Sequence, residues 1–214
     1  MKLRQQSGFT LVEIAIVLVI IGLLLGGILK GQELIENSRV TNAVNDINGL
    51  KAAYNAYLDR YRRIPGDDNT FASPLRGSEW TGVTAGGGNG VLNITAGQTF
   101  NGAGEGTAFF QQLRASGFIS GDKTQTGAAV IPTNSWGGRT GVTNAAVQGL
   151  TAATKLVCVS NVPGKAAIAI DNRLDDGLSG RGSVRATQGA NVTNPGAAAA
   201  NYSEDQVYTV CAQL

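Results

Sequence analysis

The chain has 214 residues, a formal net charge of +2 and no histidine, a length that fits one domain with an extension or two small ones. Once Lys2 and Arg4 are set aside, residues 9–214 carry 15 basic and 15 acidic side chains, without the clustered Lys and Arg that nucleic-acid binding by counterion release requires. The missing imidazole excludes Ser-His-Asp and Cys-His nucleophile systems and histidine-dependent metal sites, and with them most hydrolase chemistry.

Residues 1–8 are polar and basic, and an apolar stretch from Phe9 to Leu29 follows at once. At 1.5 Å per residue it spans about 31 Å as a helix, enough to cross a hydrocarbon layer. Glu13 is the charged residue inside it and Lys30 closes it. Lys2 and Arg4 precede the span, so the positive-inside rule puts the N-terminus in the cytoplasm and the remainder outside. A secretory signal has its small-residue cleavage site after the apolar core. Here the small residue behind a basic leader is Gly8, ahead of the core, so cleavage there leaves the membrane segment on the mature chain.

The run Gly8-Phe9-Thr10-Leu11-Val12-Glu13 resembles the prepilin signature of type IV pilins and type II secretion pseudopilins, and leader, signature and apolar helix match over roughly residues 1–35. The resemblance implies cleavage between Gly8 and Phe9 by a prepilin peptidase at the cytoplasmic membrane face, and N-methylation of the new Phe9 amino terminus. A carboxylate within an apolar helix costs roughly 2.5–3.5 kcal/mol at the centre of a membrane and less near an end, so it is usually paired or functional. After cleavage the nearest candidate cation for Glu13 is the α-ammonium of Phe9, in the same chain or a neighbour. The resemblance gives that pairing the role of guiding an incoming subunit during assembly.

Gly22 and Gly26, and Gly27 and Gly31, are each one helical turn apart, a spacing that lets helix backbones approach closely. Each glycine also weakens the helix by about 1 kcal/mol relative to Ala. Many pilins of this kind carry a proline in the region, whereas the first proline here is Pro65. Beyond Lys30 the pattern turns amphipathic. Val40, Ala43, Val44, Ile47, Leu50, Tyr54, Tyr57, Leu58 and Tyr61 recur at three- and four-residue spacing, one apolar face of a continuing helix. Arg60, Arg62 and Arg63 suit a helix C-terminus, and Pro65-Gly66 is the expected stop. The helix is thus expected from about residue 10 to 62, on the order of 80 Å long.

Residues 65–214 hold 24 of the 30 glycines, with polar stretches such as Thr84-Ala-Gly-Gly-Gly-Asn-Gly90, a composition of turns and short strands. Helices are expected at Thr107–Ser116 and Pro163–Leu174, and strands at Ala128–Ile131, Leu156–Asn161, Ser183–Thr187 and Gln206–Ala212. Cys158 and Cys211 fall in two of those strands, and in an oxidising compartment they are expected to form a disulfide. Asp171, Asp175 and Asp176, with Gly177, resemble the acidic loops that bind calcium in some pseudopilin heads. Their spacing is not that of an EF-hand, and a helix end is the simpler reading, with Asp171 on the exposed helix face and Asp175-Asp176-Gly177 as the turn. They remain weak calcium candidates.

These readings combine into an α+β fold: a leader (1–8), a long helix (9–64, transmembrane over 9–29 and amphipathic over 30–64) and a head with an antiparallel sheet (65–214). With no convergent acid/base set and no cofactor motif, the expected role is structural rather than enzymatic. The resemblance implies a subunit of a type IV pilus or type II secretion pseudopilus filament, held in a bacterial inner membrane before extraction into a periplasmic or extracellular filament. Its implied partners are copies of itself, a prepilin peptidase, and an inner-membrane assembly platform with its ATPase. The alternative is a signal-anchored extracytoplasmic adhesin or binding protein that never polymerises.

Overall fold

A computed structural model describes residues 10–70, 76–152 and 154–214. The first helix, α1, runs Leu11–Tyr61, and the chain divides inside it into two compact units, Met1–Ser38 and Arg39–Leu214.

In the described part of the first unit, the large apolar side chains from Leu11 to Leu29 are exposed, and Leu34 and Ile35 stay exposed beyond them. This segment is long and apolar enough to cross a membrane, with a mean hydropathy of 2.8 over its most apolar stretch. Lys30 Nζ lies 2.7 Å from Glu33 Oε2 one turn on, an exposed pair of the kind that contributes a few tenths of a kcal/mol, about 0.2–0.5.

The second unit is built on the amphipathic part of α1. Val40, Ala43, Ile47, Leu50, Tyr54 and Tyr57 are buried, at the spacing the sequence predicts, while Val44, Leu58 and Tyr61 are partly buried at the margin. The helix ends earlier than Pro65. Arg62 takes a left-handed φ of 54°, and its N–H still donates to the Leu58 carbonyl at 2.8 Å. A left-handed residue after the last turn is a common helix stop. Gly66 then reverses the chain at φ 94°, where a Cβ would stand 2.6 Å from Leu92 Cδ1.

The sheet comprises β1 (Thr140–Thr143), β2 (Leu156–Pro163), β3 (Val184–Gln188) and β4 (Val207–Gln213), ordered β1-β2-β4-β3 and antiparallel throughout. Helix α2 is Glu105–Ala115 and α3 is Gly164–Leu174. The α+β expectation therefore holds, with two differences. Ala128–Ile131 is not a strand: Gly127–Val130 forms a 3-10 turn that buries Val130, and the missing strand is β1. A Val and an Ile in a short run fit either state, and the choice fell to the edge of β2. There Thr140 and Thr143 pair with Val159 and Leu156, and the Thr143 hydroxyl donates to the Ile94 carbonyl at 2.7 Å.

Strand alternation sends successive residues of β2 to opposite faces. Val157 and Val159 join Phe109, Phe110 and Leu113 of α2 and the α1 face in the main core, whereas Leu156 and Cys158 join Phe100 and Val147 in a smaller cluster. Both faces are covered, which is why β2 reads as a nearly continuous apolar run. Cys158 and Cys211 stand directly opposite across β2 and β4 and are joined by a disulfide over a sequence separation of 53. In the chain-entropy model a loop of that size stabilises the fold by about 4 kcal/mol. Replacing both cysteines by alanine in the detergent-solubilised chain is expected to lower the urea unfolding free energy by about that amount, and an unchanged midpoint would show that the bond adds nothing.

Candidate functional site

The start of α1 is the first site. Thr10 precedes the helix, and its N–H and its hydroxyl both donate to Glu13 Oε2 at 2.8 Å, while the Glu13 N–H donates to Thr10 Oγ1 at 3.3 Å. This is a capping box, in which Thr and Glu three residues apart satisfy each other's backbone donors at a helix start. The sequence signal is Thr-x-x-Glu ahead of an apolar run. Glu13 thus has a partner within its own first turn. Gly8 and Phe9, the expected cleavage and methylation positions, lie outside the described residues. Added Cβ atoms at Gly22, Gly26, Gly27 and Gly31 would meet nothing within 4 Å, so these faces of the helix are open to a neighbour.

The acidic turn is the second site. The carboxylates of Asp171, Asp175 and Asp176 offer oxygens within 4.8 Å of one another. Asp171 is not on an exposed face, as the sequence suggests, but fully buried. Its Oδ2 accepts from the Tyr202 hydroxyl at 2.7 Å and its Oδ1 from the Gly177 N–H at 3.0 Å. Helical phase placed it outward, but the segment before β4 folds over α3 and brings Tyr202 onto it. Burial pushes the Asp171 carboxyl above its ordinary value, the two hydrogen bonds oppose that, and Asp175 and Asp176 add repulsion. Asp175 Oδ2 accepts from the N–H groups of Ser183, at 2.5 Å, and Val184, at 2.9 Å, which fixes the start of β3. Asp176 Oδ1 accepts from the Leu178 N–H at 2.9 Å, and Gly177 supplies the positive φ of 78°. These hydrogen bonds account for the placement of all three acids. Asp175 Oδ1 and Asp176 Oδ2 accept no hydrogen bond among the described residues.

Sequence reasoning missed a third group, the carboxylates that organise the glycine-rich loops. Asp67 is buried and accepts from the N–H groups of Asn89 and Gly90 at 2.9 and 2.8 Å. Glu105, in the first turn of α2, accepts from Gly87 at 2.9 Å and Asn93 at 2.5 Å. In the loop at 84–90 the amides of Gly87, Asn89 and Gly90 thus bind the protein's own acids, and those of Gly86 and Gly88 donate to the carbonyls of Asp68 and Asp67. Beside it, Asp68 Oδ2 accepts from the Tyr57 hydroxyl at 2.8 Å and pairs with Arg76 Nη1 at 2.7 Å, and the Arg76 guanidinium lies 4.4 Å from the Tyr61 ring centroid. The arginines that end α1 are surface charges: Arg60 sits over the Tyr61 ring and Arg62 lies 3.4 Å from Asp59.

Burial alone would raise the Asp68 carboxyl, but donors from Thr70, Tyr57 and Arg76 outweigh it and hold the group below its ordinary value. Its stabilisation is accordingly present above the unfolded carboxylate pKa of about 3.9 and lost as pH falls through the lower folded value. Arg76→Ala is expected to cost about 2–3 kcal/mol at neutral pH by leaving a buried carboxylate short of a partner. The variant should also lose less additional stability than the wild type on acidification to about pH 3, because part of the linked stabilisation is already gone. Urea unfolding at both pH values checks this, and equal acid losses would show that Arg76 does not set the Asp68 ionisation.

An apolar N-terminal helix with a capped start, continuing as the backing of a four-stranded antiparallel sheet, defines a pilin-like α+β fold. Residues 3–29 match the model of the prokaryotic N-terminal methylation motif. Over 63 residues, 28% of this chain, the sequence is 41% identical to the type II secretion system core protein G of Pseudomonas aeruginosa. That match spans 44% of the relative's length. No solved structure matches the chain. The resemblance to pilins and pseudopilins read from Gly8 to Glu13 is thus shown by two matches, and the apolar helix is consistent with anchoring in an inner membrane.

Proposed function

We propose that the chain is a structural subunit, not an enzyme, of a type IV pilus or type II secretion pseudopilus filament. The observation that carries this reading is the methylation-motif match at residues 3–29 leading into the exposed apolar part of α1. A segment with that much uncovered apolar surface needs lipid first and then neighbouring helices around it. The chain is held in the inner membrane with its N-terminus cytoplasmic, cut between Gly8 and Phe9 by a prepilin peptidase and methylated on Phe9. An assembly platform driven by an ATPase then extracts it into a helical array of copies.

Intact mass of membrane-extracted protein is expected to show loss of residues 1–8 and gain of one methyl group. A mature terminus beyond Leu29 would instead indicate a secreted protein, and full-length anchored chain a subunit that never polymerises.

The capping box sharpens the role of Glu13. Its acceptor function serves the helix start, and its charge serves the Phe9 ammonium. Gln also closes a capping box, so Glu13→Gln separates the two. The variant is expected to insert and be processed normally, with filament yield reduced by roughly tenfold or more, the scale of a lost charge pair in a low-dielectric setting. Wild-type yield would show that Glu13 acts as a cap alone.

A further inference from the structure

A groove of about 390 Å³ runs along the head between α1 and residues 132–133, which hydrogen-bond the outer edge of β1 at Thr140. Leu50, Phe118, Ile119 and Pro132 contribute its apolar surface, and Asp46 stands on its rim. The Asp46 side chain is solvent-exposed, yet the walls desolvate it enough to push its carboxyl up. It has no ion pair among the described residues. Arg114 also lines the groove, but its guanidinium donates to the carbonyls of Val130 at 2.8 Å and Asp122 at 3.2 Å. On α1 itself Lys51 feels the charge of Asp175, and from α3 Arg173 donates to Thr41 Oγ1 at 2.8 Å.

The turn at Leu178–Arg181 lies against β3 at the opposite edge of the sheet, where with residues 198–202 it forms one wall of a concave surface. In the second unit the large apolar side chains exposed among the described residues are Val91, Leu178 and Val192. Leu178 has an exposed cation three residues on, Arg181, whose side chain forms no ion pair among the described residues. The turn that presents both is rigid. The Leu178 N–H donates to Asp176 Oδ1 at 2.9 Å, the Arg181 N–H to the Leu178 carbonyl at 3.1 Å, and the Ser179 carbonyl accepts from Ala186 of β3 at 2.8 Å. Such preorganisation lowers the entropy lost on docking. The strands nearest the two patches, β1 and β3, are the two ends of the strand order and stand about 14 Å apart across three strand spacings. One molecule therefore cannot close the contact on itself. Two complementary patches on different sides of a subunit make a heterologous contact, which propagates as an open helix when the rotation does not close.

We propose that the Leu178–Arg181 turn of one subunit seats in the Asp46 groove of a second copy, with Leu178 on Leu50, Phe118 and Ile119 and Arg181 against Asp46. The contact rests on the filament reading above and supplies that filament with a heterologous specificity element between the globular parts of neighbouring subunits. A charge swap in the full-length chain, expressed with its assembly machinery, tests it. Asp46→Arg and Arg181→Asp are each expected to lower filament yield by roughly tenfold at unchanged membrane level, and the double reversal to restore it to within about twofold. Asp46→Cys combined with Arg181→Cys is expected to give a reducible intersubunit ladder on non-reducing gels of sheared filaments. Retention of the Cys158–Cys211 bond reports folding in every variant. Single reversals that assemble like the wild type, a double reversal no better than the singles, or filaments of the Cys pair without a ladder would each overturn the contact while leaving the filament reading intact. A wild-type chain that is processed and anchored yet never polymerises would overturn both.

Discussion

The head depends on one apolar stripe, Val40 to Tyr57 on α1. Ile47 and Tyr57 are completely buried in it, and α2 and the inner face of the sheet meet over it. An antiparallel sheet of four short strands cannot bury its inner face alone. The stripe supplies that cover, so the division between the compact units falls at Ser38 and Arg39, within the helix, and not at the turn where the helix ends. The same helix therefore changes environment along its length. Its first part presents apolar residues on all sides, and its second restricts them to one face.

The remainder of the head is loop-rich, and its backbone polar groups need partners that a ladder does not provide. Buried or half-buried carboxylates fill the role. Asp67 and Glu105 gather the amides of the glycine-rich segment, Asp68 joins Tyr57 to Arg76, and Asp171 and Asp175 hold the segment between α3 and β3. An ionised acceptor makes stronger hydrogen bonds than a carbonyl, and an amide-rich loop can surround it closely when it lacks side chains. This explains why a chain with so many glycines has well-defined turns. It also turns Asp67, Asp68, Glu105, Asp171 and Asp175 into internal scaffolding, whereas Asp46 stands at the groove without an ion pair among the described residues.

A filament subunit must bury the same surface twice, first in lipid and then among copies of itself. The apolar part of α1 meets that requirement without specificity, since lipid tails and neighbouring helices are equally apolar. Register has to come from polar features. In the proposed filament Glu13, whose carboxylate joins the helix cap, would supply one at the N-terminal end. The proposed contact between the Asp46 groove and the Leu178–Arg181 turn would supply another in the head. Charge placed at the rim of an apolar contact selects orientation more than it adds affinity.

The N-terminal helix, its amphipathic continuation and the strands around Cys158 and Cys211 were legible in the sequence, because each follows from local periodicity or residue type acting over a few neighbours. The cap at Thr10 and Glu13 was equally local, but the cost of a membrane carboxylate masked it. Tertiary structure alone decided the rest. Thr140–Thr143 becomes a strand, and Ala128–Ile131 does not, because hydrogen bonding from the edge of β2 outweighs the weak propensities of both. Asp171 turns from an outward helical residue into a buried acceptor because Tyr202, 31 residues away, supplies its proton donor. Asp67, Asp68 and Glu105 look like ordinary surface acids until loops distant in sequence close on them. A sequence states which groups a residue carries, whereas the pairing of buried polar groups depends on which distant segments arrive, and only the folded chain fixes that.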